Sequence, residues 1–179
     1  MKNIIFVPIK DYFISRKKVF IKFLAPMLIA LAALLLVVFF NIGDSEKVLS
    51  TFAGFIDTQI SIVAILISFS VAIITILVSA DNKNIQYLKE TESNKKQYKP
   101  VNGKQLSLFQ ILLSNIAYNV IVEIVYLAGL IAIALTQNLL PVLSLKYITA
   151  ICIFIILHIF LVLLESVAQM YLTFWANKK

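Results

Sequence analysis

The chain is 179 residues long, 61% hydrophobic and only 14% charged, with a formal net charge of +7. Soluble domains carry roughly 45–50% apolar residues, so this composition excludes a water-soluble fold and points to hydrocarbon as the surrounding solvent. The basic residues flank apolar stretches and do not form a stripe on a folded face, which favours anionic lipid headgroups as partners over direct nucleic-acid binding.

Residues 1–22 place Lys2, Lys10, Arg16, Lys17, Lys18 and Lys22 among Ile4, Ile5, Phe6, Ile9, Phe13 and Ile14, the mixture expected of a basic interfacial segment. The first apolar span covers 23–42. It is longer than a signal-peptide core and no small-residue cleavage site follows it, so it reads as a retained anchor. Gly43, Asp44 and Glu46 then suit a tight turn at an aqueous surface. The second span covers 52–80 and ends where Asp81, Asn82, Lys83 and Asn84 leave the apolar region.

Residues 81–105 form the one sizeable extramembrane loop, with Lys83, Lys89, Lys95, Lys96, Lys99 and Lys104 against Asp81, Glu90 and Glu92. Its first half can prolong the second helix, and Pro100 with the Asn102–Gly103 pair predicts a turn before the third span. That span covers 106–135. A second tight turn containing Pro141 leads into the fourth, 147–175, which ends in Tyr171, Phe174 and Trp175, residues that favour the headgroup level. The expected fold is therefore an all-α membrane protein of four transmembrane helices in two antiparallel hairpins.

Orientation follows from the basic residues. Six lie in the N-terminal segment, six in the central loop and two at the C-terminus, against Lys47 and Lys146 alone in the other two turns. The positive-inside rule then places both termini and the loop in the cytoplasm.

Within the second span Ser61, Ala64, Ser68, Ala72, Thr75 and Ser79 recur at spacings of three and four, so they share one helical face. Small side chains let helix backbones approach closely, and the bland reading of this stripe is a packing face. The sharper reading, a pore-lining hydroxyl stripe, needs an oligomer arranged around it.

In the third span Asn115, Asn119 and Glu123 recur every four residues. The fourth offers His158, Glu165 and Gln169. Counted from the turn between the two spans, Glu123 and His158 each lie ~21 Å deep at 1.5 Å per residue. The spacing therefore predicts a polar seam between these spans, with Glu123 meeting His158 and Glu165 meeting the two asparagines. Such groups are costly in a bilayer and suggest proton or ion passage, yet polar side chains also hold helices together. Both readings stay open, as does the charge state of the pair. Asp57, at the outer end of the second span, is expected to contact water.

No catalytic role is expected. One histidine, one cysteine (Cys152, inside the fourth span) and no HExxH, GxSxG or phosphate-loop sequence supply neither a metal site nor a nucleophile with its base, and no cofactor is implied.

The stretches 58–70 (TQISIVAILISFS) and 112–119 (LLSNIAYN), with the order of elements, resemble the membrane subunit of the Kiwa anti-phage defence system. The resemblance implies a homo-oligomer in the inner membrane that senses infection at the envelope and works with a cytoplasmic partner, docked on the basic loop and the N-terminal segment. Alternatives are a small ion channel or proton-linked transporter subunit using Glu123, His158 and Glu165, and an assembly factor that binds another membrane protein through the small-residue face.

Overall fold

The computed structural model describes residues 6–39, 45–80, 82–101 and 103–176. The expected turn at Gly43 and Asp44 lies outside these residues, as do Asp81, Asn102 and the terminal lysines. Among the described residues six α-helices follow one another: α1 (Val7–Ser15), α2 (Val19–Phe39), α3 (Ser45–Ser79), α4 (Lys83–Glu90), α5 (Leu108–Thr136) and α6 (Val142–Ala176), with a 3₁₀ turn at Gln137–Leu139 between the last two. Among the described residues there is no strand, only isolated bridges. The four long helices are each long and apolar enough to cross a bilayer.

Local sequence sets the helix limits. Ser107 and Gln110 form a capping box at the start of α5: the Ser107 hydroxyl accepts from the Gln110 amide at 3.2 Å and the Gln110 side chain accepts from the Ser107 amide at 2.9 Å. Asn82 caps α4 through the Ile85 amide at 3.0 Å. Pro26 stands inside α2, a position that membrane helices tolerate where neighbours cover the freed carbonyl, and here Pro26 is buried.

α5 and α6 pack on each other at the centre, with α3 chiefly against α5 and α2 chiefly against α6. The first two long helices, expected as a hairpin, are thus not each other's main neighbours. Of α2 only Val19, Pro26 and Ala30 are buried, so most of its surface faces outward. α3 packs through Phe52, Ile56, Gln59, Val63, Ser70, Ile73 and Leu77, a series stepping by three, four and seven.

The N-terminal segment departs from the expected interfacial strip. Arg16 bonds Asn115, Tyr12 stacks on Tyr118, and Ile9 and Val122 pack around the same cluster, so stepping back along α1 steps forward along α5. α1 therefore lies antiparallel alongside α5, reaching about 10 Å further along it at Ile9 than at Arg16. The cause is complementarity: Tyr12 and Ile9 find apolar partners in α5, and Arg16 finds a carboxylate.

The central loop folds as a cap over the same end. α4 buries Ile85 and Leu88. The Leu108 amide donates to the Thr91 carbonyl and that of Ser93 to the Leu106 carbonyl, each at 2.9 Å. Gly103 takes φ +76° between Val101 and Lys104, which exchange two backbone bonds, as the Asn-Gly turn predicts. Two further backbone bonds, Lys17 to Gln97 at 3.0 Å and Lys99 to Ser15 at 2.8 Å, tie the cap to the corner between α1 and α2.

Candidate functional site

The polar residues of the long helices form separate centres, not one seam. A stripe with four-residue spacing drifts about 40° around a helix at each step, because four residues overshoot one turn. Across Asn115, Asn119 and Glu123 that drift carries the polar face from the α1 side of α5 round to α3.

The centre beneath the cap is built around Glu165 of α6. Nη1 of Arg16 reaches both carboxylate oxygens, at 3.1 and 3.0 Å, and Nη2 donates to Oδ1 of Asn115 at 2.6 Å. Lys22 of α2 also bonds Glu165. Gln169 donates to Glu165 at 3.2 Å and to the Tyr98 hydroxyl at 2.5 Å, and accepts from Asn115 at 3.5 Å. The guanidinium lies 4.3 Å from the centroid of the Tyr12 ring and 5.8 Å from that of Tyr98. With 3% of its surface exposed, Arg16 is a buried cation whose cost is met by this carboxylate and these rings. Burial pushes the Tyr98 hydroxyl above its ordinary value, with Arg16 pulling it down and Glu165 adding to the rise, so it stays protonated at neutral pH.

A second centre holds His158, whose Nε2 is 2.9 Å from the Tyr118 hydroxyl. Its ring stacks on Phe23 at 4.3 Å, while Tyr118 stacks on Tyr12 at 3.9 Å. His158 and Glu165 are seven residues apart, hence on one face of α6, and both are covered by the corner between α1 and α2.

The third centre lies between α5 and α3. Glu123 is fully buried, and its Oε1 accepts from Ser70 at 3.1 Å and from Asn119 at 2.8 Å. The expected meeting of Glu123 with His158 is thus replaced by separate pairings: equal depth brings two residues together only when their faces also turn toward each other. Of the two asparagines expected beside Glu165, Asn115 joins it through Arg16 and Gln169, and Asn119 goes to Glu123. Toward the far end of the bundle the Tyr126 hydroxyl lies 3.3 Å from Oε1 of Gln59 and 3.1 Å from the Cys152 carbonyl.

The small-residue face does not pack inside the chain. Ser61, Ala64, Ser68, Ala72, Thr75 and Ser79 are all exposed, opposite the face that meets α5. Ser61, Ser68, Thr75 and Ser79 each bond the carbonyl four residues earlier, at 3.0, 3.0, 3.0 and 2.6 Å. These donors are satisfied within the helix, so the face can meet lipid or another helix without an unpaired hydroxyl.

The loop lysines Lys83, Lys89, Lys95, Lys96, Lys99 and Lys104 are exposed on the cap. Lys95 pairs with Glu92 at 3.4 Å and Lys89 sits over the Phe109 ring at 5.5 Å. Among the described residues no three His, Cys, Asp or Glu side chains gather as metal ligands would.

Beyond the residues that spacing marks, the centres draw on Arg16, Lys22, Tyr12, Tyr98, Tyr118, Ser70 and Gln59. One signal for the first was available, since Arg16 is the only arginine beside fifteen lysines, and a planar guanidinium suits a buried carboxylate as an ammonium does not. Comparison with family models, curated proteins and solved structures finds no match for this chain.

Proposed function

We propose that the protein is a non-enzymatic, multi-pass component of the bacterial inner membrane, a homo-oligomeric sensor or effector subunit of anti-phage defence whose cap faces the cytoplasm and engages a cytoplasmic protein. One observation carries this reading. Arg16, Tyr98 and Glu165 join the N-terminal segment, the central loop and the body of α6 at one buried point. A shift of α6 against α2 is passed through that point to the surface that bears the exposed lysines, which is the coupling a membrane sensor with a soluble partner requires.

Two further features support it. Fourteen of the sixteen basic residues fall on segments assigned to the cytoplasm, and the outward small-residue face of α3 suits close approach of a second copy. The defence role comes from the resemblance of residues 58–70 and 112–119. Affinity purification in mild detergent tests the partner: a cytoplasmic protein co-purifies with the natural chain and is lost when Lys95, Lys96 and Lys99 become glutamate. A chain that purifies alone from infected and uninfected cells contradicts the proposal.

The burial of Glu123, whose Oε2 has no hydrogen-bond partner among the described residues, favours the second reading of a small channel or proton-linked subunit. Proteoliposome flux that is present in the natural chain and lost in Glu123→Gln supports that reading; absent or unchanged flux removes it.

A further inference from the structure

A cavity of about 490 Å³ opens where the start of α2 meets the cap, lined by Arg16, Lys18, Lys22, Lys96, Tyr98 and Glu165. Its size falls within the ~300–1,000 Å³ of small-molecule sites. Four cations face a single carboxylate there. Glu165 holds Arg16 and Lys22, whereas Lys18 and Lys96 pair with no carboxylate among the described residues. The Nε of Arg16, a residue 3% exposed, is also without a hydrogen-bond partner. The cavity therefore carries excess positive charge, the feature that recognises a phosphate oxygen.

What lies beyond the cavity identifies the source of that phosphate. Ile21, on the rim, begins a row on α2 that continues through Leu24, Leu28, Leu31 and Leu35, spaced three and four residues apart and hence on one face. These five side chains are 60%, 49%, 55%, 49% and 47% exposed. The row runs from the basic cavity along the outward side of a helix long enough to cross the bilayer. A basic headgroup cradle continuous with an apolar track matches one ligand class, in which an anionic phosphate and an acyl chain are joined in the same molecule.

We infer that this cavity is a binding site for an anionic phospholipid, with its phosphate held by Lys18, Lys96 and Arg16 and an acyl chain lying along Ile21, Leu24 and Leu28. The inference rests on the chain being membrane-embedded and is independent of the defence role. An occupied site adds a ligand to the same junction that ties α2, α6 and the cap together, so lipid charge bears directly on how firmly the cap is held.

Binding of three probes to the full-length, delipidated protein in detergent tests it: phosphatidylglycerol, phosphatidylcholine with the same chains, and water-soluble glycerol phosphate. Phosphatidylglycerol binds most tightly, and Lys18→Ala and Lys96→Ala each weaken it about fivefold. Lys104→Ala, on the turn at Gly103, leaves it unchanged. Both substituted lysines are exposed, and an unaltered elution volume and helical circular dichroism confirm that the variants fold. Equal binding of the two lipids overturns the site while leaving the membrane reading intact. Binding of neither lipid overturns both. Glycerol phosphate binding as tightly as phosphatidylglycerol overturns the lipid assignment in favour of a free-anion site, and unaltered phosphatidylglycerol binding by both lysine variants overturns the cavity as its location.

Discussion

Burying a guanidinium costs several kcal/mol unless a carboxylate and further acceptors meet it, and Arg16 is met by Glu165, Asn115 and the face of Tyr12. Removing one partner strands the other. Glu165→Ala is expected to destabilise the fold by about 3–5 kcal/mol, read as a lower midpoint in denaturant titration in detergent. Arg16→Lys loses the second nitrogen, which bonds Asn115 while the first spans both Glu165 oxygens, and falls between that variant and the natural chain. Lys22→Ala, at a side chain 26% exposed, changes stability by about 1 kcal/mol or less. Glu123 behaves differently because its partners are neutral donors. Glu123→Gln keeps an oxygen for Ser70 and Asn119 and preserves the denaturant midpoint, whereas Glu123→Leu leaves their buried donors unmet and costs about 1–3 kcal/mol in the same assay.

At the scale of the helices, the long apolar runs are legible in the sequence because each exceeds the length of a bilayer crossing, and the turn at Gly103 is legible from its Asn-Gly pair. What is not legible is which way a face turns once another helix stands beside it. The small-residue stripe of α3 satisfies the spacing rule for packing, yet the apolar face opposite it, from Phe52 to Leu77, takes the contact with α5. The proposed homo-oligomer therefore predicts that Ser68→Leu leaves the stability of the isolated chain unchanged while reducing the mass of the detergent-solubilised assembly. α1 is the other departure, since amphipathic composition does not distinguish a strip at the surface from a helix laid against α5. Cysteines at Ile9 and Val122, with Cys152 replaced by serine, are expected to be joined by a short bis-maleimide. A surface strip gives no such product.

At the scale of the whole molecule, Arg16 and Glu165 are 149 residues apart in the chain, yet they meet beneath the cap at one end of the bundle. No periodicity reports such a pairing, and only the identity of the lone arginine hints at it. The resulting architecture sets apolar surface around four long helices and gathers charge at the capped end. The central claim is that these helices lie in hydrocarbon with the cap on the cytoplasmic side. Cysteine labelling in intact cells tests it most directly, using Lys96→Cys on the cap and Leu139→Cys, 82% exposed at the turn after α5, in a Cys152→Ser background. A membrane-impermeant maleimide is expected to modify Cys at 139 at once and to reach Cys at 96 only after the membrane is opened; labelling of position 96 in intact cells, with 139 protected, would overturn this topology.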